Sequence, residues 1–198
     1  MFWGLFGLRI IIISILVSGL GFSQGFLHNL NGEVVDGDGQ PILLRGFGLG
    51  GWLVPEGYML HNQAWIQGFE SPTDIENHVL ELIGPDEANN FWELYRANYV
   101  AQADIDKIAE WGVNHLRVPF HYKQFYDSTG TETPIGYAII DELITWCQPH
   151  NTYIILDMHC APGAHNGGPI SDSDGIARLW LEDSYKELTI QIWKEIST

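Results

Sequence analysis

Apolar residues along this chain change their spacing several times, and each change predicts an element. Val113-Asn114-His115-Leu116-Arg117-Val118-Pro119 reads as a strand, and Tyr153 to Met158 is a near-continuous apolar strand of the kind buried on both faces of a parallel sheet. Between them, Asp141 to Cys147 has helical spacing. Further upstream, Ser71-Pro72 is an N-cap and first-turn pair, Gly84 stops that helix, and Phe91, Trp92, Tyr95 and Tyr99 then share one helical face. Trp92 and Tyr95 are expected in the core. Ala101, Ile105 and Ile108 form another stripe ending at Gly112, and Leu181, Tyr185, Leu188, Ile192 and Ile196 share the face of a last helix. Near the start, Glu33-Val34-Val35, the turn Asp36-Gly37-Asp38-Gly39 and Pro41-Ile42-Leu43-Leu44 predict a β-hairpin within residues 26–44, because Asp-Gly pairs supply the positive φ that tight turns need.

Strands near 42–47, 113–119 and 152–158 alternate with helices, which implies βαβ units and a parallel sheet. An open doubly wound sheet and a closed barrel both satisfy that order. Either type puts its site at the C-terminal ends of the strands, and each strand here ends in polar or turn residues: Arg45 and Gly46, then Arg117, then Asp157 and His159. Period-two alternation puts Asp157 and His159 on one face. A buried Arg117 guanidinium requires a carboxylate, since an unpaired buried charge costs several kcal/mol. That pairing is either a structural ion pair at the sheet rim or a site that orients something charged. The loop from Cys160 to Gly168, with His165 and Asn166, is long and polar, the kind of loop a rigid scaffold uses for function.

Composition changes the picture at three points. Arg9, the apolar run Ile10 to Val17 and the small residues Gly19, Gly21 and Ser23 predict a signal peptide over residues 1–23, too short for a comfortable membrane span. The expected product is a secreted or extracellular protein, periplasmic in a Gram-negative bacterium, with no stable membrane partner after signal removal. The net charge of −16 with nine scattered basic residues argues against nucleic acid as a partner. Cys147 ends a helix and Cys160 lies beyond the following strand, about 20 Å away, whereas a disulfide needs Cα atoms within about 7 Å; two free thiols are expected. The stretch Gly46 to Gly51 has the glycine content of a dinucleotide loop but not the helix start and distant acidic residue that such a site needs, and no cofactor is expected.

Four strings carry a family resemblance, in family order. Arg45-Gly46-Phe47-Gly48-Leu49-Gly50-Gly51-Trp52-Leu53-Val54-Pro55-Glu56-Gly57-Tyr58 resembles the opening motif of glycoside hydrolase family 5, the cellulase and exo-β-1,3-glucanase family. Asn114 to Pro119 resembles its second-strand motif, and Asp157-Met158-His159-Cys160-Ala161-Pro162-Gly163 its third. Trp193 with Ile192 and Ile196 resembles the helix before the family's Asn-Glu-Pro motif. The resemblance implies a TIM (β/α)8 barrel, here truncated to about its first three βα units, and retaining hydrolysis of β-linked glucans or related polysaccharides by two carboxylates. Residues 24–198 would be the N-terminal part of that catalytic barrel, which typically needs about 250 residues. The acid/base and nucleophile Glu would lie beyond Thr198, leaving this stretch inactive alone. The residues carried over as substrate-binding are Arg117, His159, Glu56, Asn166 and Trp52, with Asp157 and His121 in support. Cys160 stands where the family usually has Gly, and Ala164-His165-Asn166 where Gly-Gln-Thr or Ser-Gln-Asn is commoner; both departures bear on the substrate subsite.

Two other functions fit the same residues. His121, His159 and His165 with Asp157 and Asp172 supply ligand types for a metal-dependent barrel hydrolase, although paired His-x-His spacing is absent. A non-catalytic carbohydrate-binding protein would need no catalytic glutamates. For either, Trp52, Trp65 and Phe69 flank the first-strand loop as sugar platforms, with ordinary packing the alternative for each.

Overall fold

The computed structural model describes residues 25–60, 70–127 and 129–197. The signal-peptide expectation, Trp65 and Phe69 lie outside them. Among the described residues no helix is long and apolar enough to cross a membrane.

The chain divides into two compact units, one ending at Pro41 and the other starting at Ile42. In the first, β1 (His28–Leu30) pairs antiparallel with β2 (Glu33–Val35). The turn between them is Asn31-Gly32, with φ of 53° and 91°, the left-handed pair that a two-residue hairpin requires. The expected Asp36–Gly39 turn also forms: Asp36 Oδ1 accepts the Asp38 and Gln40 N–H groups, and Gly39 has φ 75°. Its second arm, however, is no strand. A single bridge joins Val35 to Pro41, because proline brings no N–H to continue a ladder.

In the second unit, β3 (Gly46–Gly48) is followed by the short α1 (Gly57–Leu60), α2 (Pro72–Ile83), α3 (Pro85–Tyr99) and α4 (Gln102–Glu110). Then come β4 (His115–His121), α5 (Ile135–Cys147), β5 (Tyr153–Cys160) and α6 (Asp183–Ile196). The three strands form one parallel sheet in the order β3-β4-β5, with Gly48 opposite Arg117 and Arg117 opposite Ile155. Asn114 fixes the start of the register: its Oδ1 accepts from Arg45 N at 2.7 Å and its Nδ2 donates to the Leu43 carbonyl at 2.9 Å. At Gly46 a Cβ would collide with the His115 carbonyl, so only glycine lets the two strands close here.

Burial alternates along the first half of β4, and its last four residues, Val118 to His121, are all buried. Leu116, Val118 and Phe120 are fully buried and face Leu143, Ile140 and Cys147 of α5, Ile105 and Ile108 of α4, and Ile192 of α6. Ile154, Leu156 and Met158 of β5 pack against the same cluster. The opposite face therefore carries Arg117, Asp157 and His159. Two features differ from expectation. Leu181 lies before α6 and is exposed, outside the stripe. Trp92 and Tyr95 are half-buried outside the core; α3 is instead tied to the first-strand loop by polar contacts, Tyr95 OH donating to Gly51 O at 2.6 Å and Trp52 Nε1 to Arg96 O at 2.8 Å. Both cysteines are free and buried.

Candidate active site

Parallel register sets the first cluster. Arg117 stands level with Ile155, so its guanidinium reaches one strand period onward to Asp157, which lies opposite Pro119. Nη2 of Arg117 donates to Asp157 Oδ2 and lies 3.1 Å from His159 Nδ1. His159 Nδ1 is 3.0 Å from the same Asp157 oxygen, and its Nε2 is 3.4 Å from Glu56 Oε1. Glu56 comes from the segment after β3, where Leu53 makes one further parallel bridge to Phe120 that carries the chain back beside β4. Glu56 is 3% exposed, while Arg117, Asp157 and His159 remain partly open. The structure thus brings together four residues named from sequence, from three consecutive strand ends. Hydrogen bonding and attraction from Glu56, helped by Asp157, raise the His159 pKa above its ordinary value against the opposing effect of burial. Burial, with Glu56 beside it, likewise pushes the Tyr58 phenol up.

His121 belongs to a different cluster. The pairing slips at the end of the sheet, Phe120 lying opposite Met158 and His121 opposite Cys160, which leaves His159 of β5 as the unpaired residue. His121 Nε2 lies 2.9 Å from Asp172 Oδ2, Lys123 Nζ is 3.1 Å from that oxygen, and the Thr73 hydroxyl and N–H donate to Asp172 at 2.6 and 2.9 Å. Since His121 Nδ1 accepts from Lys123 N, the ring is the tautomer with its proton on Nε2. Burial drives the His121 pKa down. Burial alone would raise Asp172, but the His121 hydrogen bond and the Lys123 charge outweigh it and hold the carboxyl far below the usual range. This is a closed brace joining α2, the end of β4 and the loop after β5. Lys123 and Thr73 went unremarked in the sequence; the signal was a lysine two residues past a strand-end histidine. An ammonium takes the Asp172 face that a metal would need, and among the described residues no group of three His, Cys, Asp or Glu could hold an ion.

Between the clusters runs the loop after β5. Ala164 has φ 59° and delivers His165, whose ring centroid is 6.4 Å from that of His159. Burial, then the neighbouring His159, lowers the His165 pKa. Asn166 is exposed and engaged by its own loop: its Oδ1 accepts from Gly168 N and Ser171 Oγ, and its Nδ2 reaches His165 Nε2 at 3.1 Å. It does not reach the Arg117 cluster. Trp52, 3% exposed and in the core, offers no open ring face; packing displaces the platform reading. Cys160 is on the helix side of β5, its Sγ donating to Ile170 O at 3.2 Å, so that departure from the family pattern is away from the Arg117 face. A further carboxylate, Glu195, accepts from Tyr126 and Tyr137 hydroxyls at 2.8 and 2.9 Å and anchors α6.

Comparison with known proteins follows the same strands. The model of the cellulase family, glycosyl hydrolase family 5, matches residues 73–198. A β-xylosidase of Phanerodontia chrysosporium is 30% identical over 83% of this chain and 34% of its own length. Glucan 1,3-beta-glucosidase 1 of Schizosaccharomyces pombe is 31% identical over 67% of this chain and 33% of its own. Among solved structures, rutinosidase from Aspergillus niger superposes with a TM-score of 0.63 at 25% identity, covering 76% of this chain and 42% of that one. The chain spans about a third of the length of these curated relatives.

Proposed function

This chain belongs to the cellulase family, glycosyl hydrolase family 5, and we propose that the protein it forms part of is a secreted glycosidase that hydrolyses O-glycosidic bonds of β-linked glucans. The reading rests above all on one observation: Arg117, Asp157, His159 and Glu56, from three consecutive strand ends of a parallel sheet, meet at the end where α/β enzymes of this kind build their sites. The sheet is the first three βα units of a (β/α)8 barrel, and residues 24–198 its N-terminal part.

In a retaining mechanism one carboxylic acid protonates the leaving oxygen while a second carboxylate, about 5 Å from the first, attacks the anomeric carbon. Residues 1–198 contain no Asn-Glu-Pro, and the two catalytic glutamates belong to the barrel units after the third. What this chain supplies is the floor of the subsite: the Arg117 guanidinium to hold the nucleophilic carboxylate, and a charged His159–Glu56 pair beside the sugar. On its own it hydrolyses nothing.

Relatives named for glucan 1,3-beta-glucosidase activity favour a β-1,3-glucan over a xyloside, by their number among the matches. The test is release of reducing sugar by the intact protein from laminarin-type β-1,3-glucan, cellulose and an aryl β-xyloside. Turnover of the β-1,3-glucan is expected. Binding without turnover on all three would instead establish a carbohydrate-binding protein, and activity abolished by a chelator would establish the metal-dependent hydrolase.

A further inference from the structure

His159 meets a carboxylate at each ring nitrogen: Asp157 Oδ2 at Nδ1, 3.0 Å away, and Glu56 Oε1 at Nε2, 3.4 Å away. A neutral imidazole donates from one nitrogen only and turns a lone pair outward from the other. In a neutral ring, one of the two contacts would set lone pair against carboxylate. Arg117 Nη2 has two N–H groups and can donate one to Asp157 Oδ2 and the other to such a lone pair 3.1 Å away, but the lone pair would still face the Asp157 oxygen at 3.0 Å. Glu56 adds a second constraint. It is 3% exposed, the Tyr58 hydroxyl is its neutral neighbour, and among the described residues the His159 ring, 3.4 Å from Oε1, is the one basic group within ion-pair distance of it. A buried carboxylate without a partner is strongly disfavoured.

We propose that His159 stands as an imidazolium clamped between Asp157 and Glu56, with Glu56 a positioning residue that acts through the ring. The groups facing it are Glu56 and Tyr58 from the first-strand segment, Arg117 from β4, Asp157 from β5 and His165 from the following loop. With His159 charged, two cations balance two carboxylates, and His165 stays neutral, as burial and the adjacent charge dictate. Both ring N–H groups are then engaged by the protein. His159 serves the sugar subsite as a fixed charge that holds Asp157 against Arg117, and loses that role as pH rises through its own elevated pKa. The charge state follows from the geometry; its use in turnover rests on the glycosidase reading.

The experiment is 15N NMR of the histidine rings in the intact protein, with the pH profile of kcat/KM beside it. At pH 6.5, the ordinary imidazole midpoint, both nitrogens of His159 should be mostly protonated, and the midpoint should lie above that pH. Glu56→Gln should lower the midpoint and move the alkaline limb of kcat/KM down with it, whereas His165→Gln should leave the midpoint at or above the wild-type position. A His159 ring with one bare nitrogen at pH 6.5, or a midpoint unmoved in Glu56→Gln, overturns the clamp. Should Glu56→Gln not fold, the wild-type spectrum alone decides. A protein lacking glycosidase activity whose His159 titrates in this way keeps the clamp and removes the proposed function; an active protein with a neutral His159 does the reverse.

Discussion

Two polar clusters lie a few residues apart in this chain, each made of a histidine, a basic side chain and acid, yet burial gives them opposite characters. In the Asp172 cluster, His121 is 4% exposed, the carboxylate takes hydrogen bonds from His121, Lys123 and Thr73, and the histidine is neutral. In the Arg117 cluster the ring is partly open, two carboxylates share it, and its pKa moves up. Residue type does not separate a brace from a site. What separates them is whether water reaches the group and how many carboxylates share the ring.

The largest effect that tests this contrast is on stability. Asp172→Ala should strand the buried His121 and the partly buried Lys123 and lower the unfolding free energy by about 3–5 kcal/mol, the range for breaking a buried pair. Turnover per folded molecule should stay near wild type. Denaturant melts and active-site-normalised rates on the intact protein check both halves. A mild melt with lost turnover would reverse the assignment of the two clusters.

His159→Ala should do the converse. Turnover on β-glucan should fall by about 10²–10³, or about 2.7–4 kcal/mol, by analogy with removal of one preorganised donor or charge. The melting temperature should fall less than in Asp172→Ala, because the ring is partly open at a strand end, although Glu56 loses its ring partner. A drop in stability with wild-type turnover per folded molecule would make His159 a second brace.

The two histidines also pull stability in opposite directions with pH. The His121 pKa is depressed, so the unfolded chain binds its proton more readily, and stability falls as pH drops below the unfolded value of about 6.5. Asp172, also depressed, adds to the loss once pH falls below the usual carboxylate range of about 4. The His159 pKa is raised, so its contribution is fully present below about 6.5 and is lost as pH rises through its folded value. Stability profiles of His121→Gln and His159→Gln should therefore converge on wild type at opposite limbs, the first on the acid side and the second on the alkaline side, where wild type has lost that histidine's contribution.

Much of this was legible in the sequence, and the misses have physical causes. Period-two alternation was enough to bring Arg117, Asp157 and His159 to one face, and the Ser71 cap and Gly84 stop bound α2 as read, with Ser71 and Asp74 forming a reciprocal capping box. His121 obeys the same alternation, but its partner is Asp172 in the loop after β5, and strand periodicity says nothing of which loop will cover a strand end. Two Asx-Gly turns competed for the first hairpin, and Asn31-Gly32 carries the ladder because Pro41 cannot extend one beyond the other. The aromatic stripe of α3 looked like core because periodicity reports a face and not what covers it.

Asn166 should show the smallest effect, and it bears on the comparison because it sits between the clusters. Its Nδ2 touches His165, the neighbour of His159, while its Oδ1 holds Gly168 N and Ser171 Oγ, one residue from Asp172. All three bonds are internal to the loop. Asn166→Ala should then cost about 1 kcal/mol of stability, the net value of an ordinary hydrogen bond lost at an exposed position. If the residue is only a loop tie, KM and kcat stay within about twofold, since 0.4 kcal/mol is a factor of two at 25 °C. If it bonds the sugar as its place in the family motif implies, KM rises with stability unchanged. Because the side chain already spends its acceptor and one donor within the loop, the first outcome is expected, and steady-state kinetics with a melt on the same sample distinguishes the two.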